Sequence, residues 1–299
     1  MDIVSKRNLW FTISILMTLV PLIAAFFIYP KWFNYGIDFT GGSSLTLHVP
    51  AMAQYSDTPS GKAQFIEKFR MVLRPHGFEG AIVQITGPLE VSVRTRPISN
   101  DEREGIFKTM HEQFAGWELV EVDTIGPTIG DQLRKNSLWI LVLSTMGLLI
   151  YLTFRFEFVF GFAAVAATLH DAFVTLGFAA LLRVEINTAF VAAIMTILGY
   201  SINDTIILFD RVRENLSRPH QTDLKTLLNA SIRQTLMRTI NTSLTTLIMI
   251  AALYLLGGAT LKEFSLVLFM GVLCGTYSSI FVAVPLVYVL RSRLSTTDK

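Results

Sequence analysis

The stretch LWFTISILMTLVPLIAAFFIY, residues 9–29, holds no charged residue over 21 positions. An α-helix rises 1.5 Å per residue, so about 20 apolar residues cross the roughly 30 Å hydrocarbon core of a bilayer. Lys6 and Arg7 precede the stretch, and Pro30 follows it without the small-residue cleavage site of a signal peptide. The sequence therefore predicts a membrane-spanning helix that anchors the chain.

Five further apolar stretches of similar length follow, and together they predict an α-helical integral membrane protein with six transmembrane helices. Hydrophobic residues make up 52% of the chain and charged residues only 16%, whereas soluble domains carry about 25% charged residues. The net charge of +2 is too small to indicate nucleic acid as a partner. The predicted spans 2 to 6 are residues 137–154, 158–182, 186–209, 239–261 and 264–290.

Basic residues predict the orientation, because the short cytoplasmic loops of membrane proteins carry an excess of lysine and arginine. In a six-span arrangement, the two short connections on one side contain only two basic residues, Arg183 and Lys262. We therefore expect the other side, with both termini, to be cytoplasmic. The basic residues on that side are Lys6, Arg7, Arg155, Arg211, Arg213, Arg218, Lys225, Arg233, Arg238, Arg291, Arg293 and Lys299.

Residues 30–136 lie between the first two spans and predict a folded extracytoplasmic domain, since a region of this length crosses the membrane largely regardless of its charge. The order of predicted elements is βαββαβ, which is typical of a small α+β ferredoxin-like domain. Hydrophobic periodicity places strands at 44–49, 81–85, 90–94 and 118–123, and helices at 61–73 and 101–114, the second under an Asn100 cap.

These predictions divide the chain into three parts. The first span and the cytoplasmic N-terminus occupy residues 1–29, the extracytoplasmic domain occupies 30–136, and a bundle of spans 2 to 6 with the C-terminal tail occupies 137–299. The cytoplasmic connector 210–238 joins spans 4 and 5. Apolar residues recur at helical spacing among its basic residues, which predicts an amphipathic helix along the lipid headgroups. They are Leu224, Leu227, Leu228, Ile232 and Leu236.

Three ionisable residues fall inside predicted spans: His170, Asp171 and Asp204. Each costs roughly 2.5–3.5 kcal/mol on insertion scales, so each requires a partner, a water path or a function. Asp204 either titrates as a proton site or is a carboxylate held permanently by a counter-charge. His170 and Asp171 are further candidates for a proton relay, but adjacent helical positions point about 100° apart, so only one should face a given polar path.

Polar residues share helix faces with these candidates. Tyr200 and Asn203 lie on one face of span 4 with Asp204, since residues three and four apart align on a helix. Arg238 begins span 5, with Thr242 one turn further on. Arg238 is thus the natural counter-charge for Asp204, although an arginine at this position also commonly extends to the interface.

Small residues in span 6 predict a packing face, because Gly271 and Gly275 allow a neighbouring helix backbone to approach closely. The single cysteine, Cys274, lies in the same apolar stretch and is interpreted as a packing residue. We find no nucleophile and base pair, metal-ligand cluster or phosphate loop in the sequence. It therefore predicts no catalytic residues, no metal and no cofactor, and a protein that is not an enzyme.

Several short segments resemble the SecF branch of the SecD/SecF family, whose members are membrane subunits of the bacterial Sec protein-export machinery. The resemblance covers essentially the whole chain, and the segment in span 4 is its most specific part. The segments are GIDFTGG (36–42), GPTIG (126–130), His170-Asp171, GYSINDTIILFDRVREN (199–215) and RTINTS (238–243).

The resemblance implies a multi-pass protein of the bacterial cytoplasmic (inner) membrane that pairs with SecD and joins the SecYEG channel. With SecD it would use the proton motive force to complete translocation of unfolded polypeptides after the ATPase SecA has driven their insertion. It implies that Asp204 and Arg238 take part in proton passage. Two alternatives remain open: a small-molecule or lipid exporter of the related resistance-nodulation-division superfamily, and a purely structural subunit.

Overall fold

The computed structural model describes residues 2–55, 58–218 and 223–297. It contains two compact units, a helical unit of Met1–Asn34 with Trp139–Lys299 and an α+β unit of Tyr35–Leu138. Lys299, counted in the orientation argument, and part of the predicted connector, 219–222, lie outside the described residues.

The elements follow one another in a simple order, with most helices in the second half of the chain. In chain order they are α1 (Arg7–Ile28), β1 (Asn34–Tyr35), α2 (Ile37–Thr40), β2 (Gly42–His48), α3 (Pro59–Leu73), β3 (Ile82–Ile85), β4 (Glu90–Thr95), α4 (Asn100–Gln113), β5 (Glu118–Ile125), α5 (Pro127–Arg155), α6 (Phe158–Leu181), β6 (Glu185–Ile186), α7 (Thr188–Leu216), α8 (Leu224–Leu256), α9 (Ala259–Ser278) and α10 (Val284–Thr297). A short 3-10 turn, Val4–Lys6, leads into α1, and a π-helical turn, Ser279–Ala283, joins α9 to α10.

Six helices in the described part of the chain are long and apolar enough to cross a membrane. Five are α1 with its 3-10 turn, α5, α6, α7 and α8, and the sixth is the continuous segment Leu261–Leu294 that contains most of α9 and α10. The prediction of six membrane helices is therefore confirmed, and the chain is a multi-pass membrane protein. The π-turn widens the sixth helix locally without breaking it.

Several helix bounds differ from the prediction. Helix α5 begins at Pro127 and not at 137, α7 continues to Leu216, and α8 begins at Leu224 and not at 239. Apolar runs report only the part of a helix that lies in hydrocarbon, whereas backbone hydrogen bonding continues through polar residues beyond it. Helix α8 ends before Gly257, so residues 257–261 do not belong to the fifth span as predicted.

The prediction of a separate amphipathic helix along the headgroups is wrong. Leu224 begins α8, which continues unbroken into the fifth span. Leu228 and Ile232 are 0% and 1% exposed, and they pack into the helical core with Phe209 and Val4. The apolar stripe therefore faces protein because it completes the core at this end of the bundle.

Helices α7 and α9 pack through matching positions spaced four residues apart. The Gly271 position lies directly against the Ile197 side chain, and a Cβ on Gly275 would lie 3.0 Å from Ser201 Cβ. One turn further, Thr205 Oγ1 lies 2.9 Å from Ser279 Oγ. The small residues thus bring the two helix backbones together, and hydroxyl groups bond where the glycines end.

The α+β unit contains one antiparallel sheet with strand order β3-β4-β2-β5. Its core joins β2 and β4 to α3 and α4, and aromatic rings fill the space between them. Phe65, Phe69 and Phe114 are each at most 1% exposed, with the Phe69 and Phe114 ring centroids 5.5 Å apart. The strands and helices occur in the predicted order βαββαβ.

The cap of α4 is Ser99 and not the predicted Asn100. Ser99 Oγ accepts the Glu102 backbone N–H at 3.3 Å, and the Glu102 carboxylate accepts the Ser99 backbone N–H at 2.9 Å. This reciprocal capping box makes Asn100 the first helical residue. Arg96 also donates to Glu102 at 2.6 Å and, with Ser99, lowers the pKa of that carboxyl to about 2.

Two glycine motifs meet inside the α+β unit. A Cβ on Gly130 would lie 2.8 Å from the backbone nitrogen of Gly41, and a Cβ on Gly41 would lie 2.9 Å from Pro127 Cα. Gly41 also has a φ of +69°, a conformation that costs L-residues free energy. The start of β2 and the start of α5 are therefore in backbone contact, which only glycine allows.

Replacing Gly130 by alanine tests this contact. Alanine favours a helix over glycine by about 1 kcal/mol, but here it meets backbone atoms that cannot rotate away. We expect a net destabilisation of about 1–2 kcal/mol, seen as faster amide hydrogen exchange in β2 and in the first turn of α5. Gly126→Ala is the matched control, because nothing lies within 4 Å of that position. Equal protection in the two variants would contradict the contact.

Candidate functional site

Asp171 on α6 accepts hydrogen bonds from side chains on two other helices. Its Oδ2 accepts from Ser201 Oγ of α7 at 2.5 Å and from Ser278 Oγ of α9 at 2.6 Å. Its Oδ1 accepts from Cys274 Sγ at 3.2 Å and lies 3.0 Å from His170 Nδ1. The side chain is 0% exposed, so this buried carboxylate is satisfied entirely by protein groups.

The structure changes two interpretations drawn from the sequence. Cys274 is more than a packing residue, because its thiol donates to Asp171. His170 and Asp171 were expected to point apart, yet their polar atoms meet because side chains of adjacent residues can bend toward each other. Cys274 lies four residues before Ser278, so the two side chains share one face of their helix. This spacing was a sequence signal that could have identified both donors.

The same three residues are the ones that could hold a metal ion. One ligand atom each from His170, Asp171 and Cys274 lie within 4.8 Å of one another, and this is the single such group within residues 2–55, 58–218 and 223–297. In the structure these atoms are engaged in hydrogen bonds with each other. Their arrangement is therefore accounted for as a hydrogen-bonded cluster.

Asp204 on α7 is the second buried carboxylate, and its surroundings differ. The residue is 2% exposed, and its Oδ2 finds no hydrogen-bond partner among the described residues. A buried acceptor without a hydrogen bond destabilises the folded protein by the full free energy of its desolvation. Of the two membrane carboxylates, Asp171 is therefore surrounded by hydrogen-bond donors, whereas one oxygen of Asp204 has no donor among the described residues.

Arg238 lies on α8, close enough for an electrostatic interaction with Asp204. In the described part of the chain, however, no nitrogen of Arg238 lies within 4.0 Å of the Asp204 carboxylate. Arg238 is thus a nearby charge for Asp204, as its place in the sequence suggested, but the two residues form no direct ion pair in this structure. Arg238 is exposed on the surface of the helical unit, so its guanidinium does not fill the buried position beside the carboxylate.

The predicted supporting residues separate into two groups. Tyr200 OH donates to Ser243 Oγ at 3.5 Å, and Ser243 bonds in turn to Thr276 Oγ1 at 2.7 Å, which links α7, α8 and α9. Asn203 and Thr242 are exposed. The sequence interpretation missed Ser243 and Thr276, because a hydroxyl in an apolar helix commonly bonds its own backbone and gives no sign of a partner.

The chain matches known proteins over almost its entire length. Residues 31–49 match the family described as "SecD/SecF GG Motif", and residues 106–293 match "Protein export membrane protein SecD/SecF, C-terminal". Protein translocase subunit SecF of Sebaldella termitidis is 38% identical over 97% of this chain and 92% of its own length. The SecF subunit of Haemophilus influenzae is 38% identical over 92% of this chain and 82% of its own length.

A solved structure is similar as well. The crystal structure of SecDF, a translocon-associated membrane protein from Thermus thermophilus, superposes with a TM-score of 0.86 at 34% identity and covers 98% of this chain. The chain spans only 39% of that SecDF chain. With 38% identity to SecF proteins over nearly their full length, the chain belongs to the SecD/SecF family of protein-export membrane proteins.

Proposed function

We propose that the chain is an accessory subunit of Sec protein translocation that uses proton movement at Asp204 to drive the export of polypeptides. The observation that carries the proton role is the Asp204 carboxylate, which is buried within a membrane helix and has no hydrogen-bond partner for Oδ2 among the described residues. A proton crossing ~100 mV supplies about 2.3 kcal/mol. That free energy shifts a two-state equilibrium by more than tenfold.

The exposed polar residues of α7 and α8 support pairing with SecD. Asn203, Arg238, Asn241 and Thr242 lie on the surface of membrane-spanning helices, where lipid offers no hydrogen bonds. A second helical bundle with its own polar groups would cover them. The SecDF relative of Thermus thermophilus, of which this chain matches 37%, holds a SecD-type and a SecF-type half in one chain by its name.

The placement in the cell follows from the same family and from the charge pattern. We propose an inner-membrane protein with both termini in the cytoplasm, because the basic residues cluster on that side of the six spans. The α+β unit then lies outside the cytoplasm, and its βαββαβ order and β3-β4-β2-β5 sheet support a ferredoxin-like domain. The SecYEG channel, SecA and the exported polypeptide are the proposed partners, and we propose that this chain is not itself an enzyme.

We assign different roles to the two membrane carboxylates. Asp204 is the proton-binding group, with Arg238 as the charge whose attraction changes when Asp204 is protonated. Asp171 is a structural anchor, because its hydrogen bonds with Ser201, Ser278 and Cys274 hold α6, α7 and α9 together. His170 belongs to the anchor through its contact with Asp171. This assignment is narrower than a relay through all four residues.

Asp204→Asn tests the proton role. An amide of the same shape cannot take up or release a proton, so gradient-dependent export should fall to the level seen without a gradient, while the ATP-driven part persists. The measurement is export into inverted membrane vesicles with and without a proton gradient. Asp210→Asn, which changes an exposed carboxylate on the same helix paired with Arg155, is the control.

Each alternative function predicts a different result. If Asp204→Asn exports as well as the unsubstituted chain under a gradient, the subunit is purely structural in this respect. A small-molecule exporter would purify without SecD and without the channel. Recovery of both partners from native membranes, together with loss of the gradient-dependent part in Asp204→Asn, supports the translocation role.

Asp171→Leu tests the anchor. Leucine leaves the hydroxyls of Ser201 and Ser278 without their acceptor, and a buried donor left unsatisfied costs about 1–3 kcal/mol. We expect a fall of several degrees in the thermal unfolding temperature in detergent, together with reduced assembly. Asp204→Leu removes a carboxylate with an unsatisfied oxygen and should lower that temperature far less. A larger loss in Asp204→Leu would reverse the two roles.

A further inference from the structure

The side chain of Asn229 on α8 caps the helix that begins the chain. Asn229 Oδ1 accepts the backbone N–H groups of Ile3 at 2.9 Å and Val4 at 3.3 Å. Asn229 Nδ2 donates to Asp2 Oδ1 at 2.9 Å and to the Lys225 carbonyl at 3.0 Å. Both donors and the acceptor of the amide are therefore used.

This contact serves the same purpose as a local N-cap. The first N–H groups of a helix have no intrahelical acceptor, and an asparagine or aspartate normally supplies one from the preceding residue. Here the turn Val4–Lys6 leads directly into α1, and the acceptor comes from a helix more than 200 positions later in the chain. Ile3 and Val4 are 2% and 0% exposed, so their N–H groups have no access to water.

Asp2 completes the cap from the other side. Its carboxylate accepts from Ser5 Oγ at 2.6 Å and from the Ser5 backbone N–H at 3.2 Å, while Lys225 Nζ lies 3.4 Å from Oδ2. The hydrogen bonds from Ser5, with smaller contributions from Asn229 and Lys225, lower the pKa of Asp2 well below its usual range. The charged carboxylate thus remains available to accept from Asn229.

The position of Asn229 along α8 gives the cap a mechanical role. Asn229 and Arg238 lie in the same unbroken helix, separated by roughly 14 Å along the axis at 1.5 Å per residue. A displacement of α8 at Arg238 therefore moves Asn229. Asn229 in turn holds the start of α1, and the chain continues from the end of α1 into the α+β unit.

We propose that Asn229 is a positioning residue that couples movement of the Arg238-bearing helix α8 to α1. The proposal rests on the proposed function, in which protonation of Asp204 changes its attraction to Arg238. Further polar contacts tie α1 to α6, α9 and α10: Tyr29 OH donates to the Leu181 carbonyl at 3.2 Å, Tyr277 OH donates to the Trp10 carbonyl at 3.1 Å, and Arg7 lies over the Tyr288 ring. Asn229, beside the Lys225–Asp2 ion pair, supplies the hydrogen bonds that join the start of the chain to α8.

An exchange of side chains between positions 2 and 229 tests the coupling. Asn229→Asp keeps the acceptor for Ile3 and Val4 but removes the donor and places two carboxylates together. The double variant Asp2→Asn with Asn229→Asp restores one amide facing one carboxylate. A helix cap contributes about 1 kcal/mol, so we expect the single variant to lose about fivefold in gradient-dependent export and the double variant to recover it.

The measurement separates coupling from simple loss of stability. Export is measured in vesicles that contain the full assembly at matched subunit amounts, with the ATP-driven and gradient-driven parts determined separately. Val287→Ala is the control, because it opens a cavity at a 1% exposed position of the same hydrophobic core as Val4 but leaves every polar group of the cap in place. We expect Val287→Ala to lower the unfolding temperature and leave the ratio of the two parts unchanged.

The outcomes distinguish a failure of the coupling through Asn229 from a failure of the proposed function. The inference is overturned if Asn229→Asp and Asn229→Ala keep gradient-driven export while Asp204→Asn loses it. The proposed function would stand in that case. It is also overturned if Val287→Ala loses that part as strongly, or if the double variant is not restored. Normal gradient-driven export by Asp204→Asn would instead overturn the proposed function itself.

Discussion

The absence of water from the hydrocarbon core is the constraint on which this structure depends. A polar group there must find its partner in the protein, and the carboxylate of Asp171 finds donors on two neighbouring helices at once. Because the donors Ser201 and Ser278 lie on α7 and α9, the hydrogen bonds to this one carboxylate also fix how these helices pack against α6. The glycines at 271 and 275 permit the close approach that such short hydrogen bonds require.

Against this satisfied carboxylate, Asp204 is an exception within the same bundle. It lies one position before Thr205, whose hydroxyl joins α7 to Ser279. The Asp204 Oδ2, in contrast, has no hydrogen-bond partner among the described residues. This unpartnered oxygen is the reason that the proposed proton role is assigned to Asp204, with Arg238 on α8 as the nearby charge.

Two further contacts also join distant segments of the chain. Asn229 holds the start of α1 through its side-chain amide. Within the α+β unit, Gly41 and Gly130 bring the start of β2 into backbone contact with α5. The first contact needs a side-chain amide, which both donates and accepts hydrogen bonds. The second needs glycine, because a larger side chain would separate the two backbones.

The sequence by itself determined the six membrane helices, the βαββαβ order and the carboxylates that had to have a role, because hydrophobic periodicity and the cost of burying charge act locally. The tertiary structure alone decided which carboxylate was satisfied, that Cys274 is a donor, that Leu228 and Ile232 face the core, and that Arg238 forms no direct pair with Asp204. These depend on which helix faces lie together, and a spacing along one helix carries no information about the groups that approach it from another.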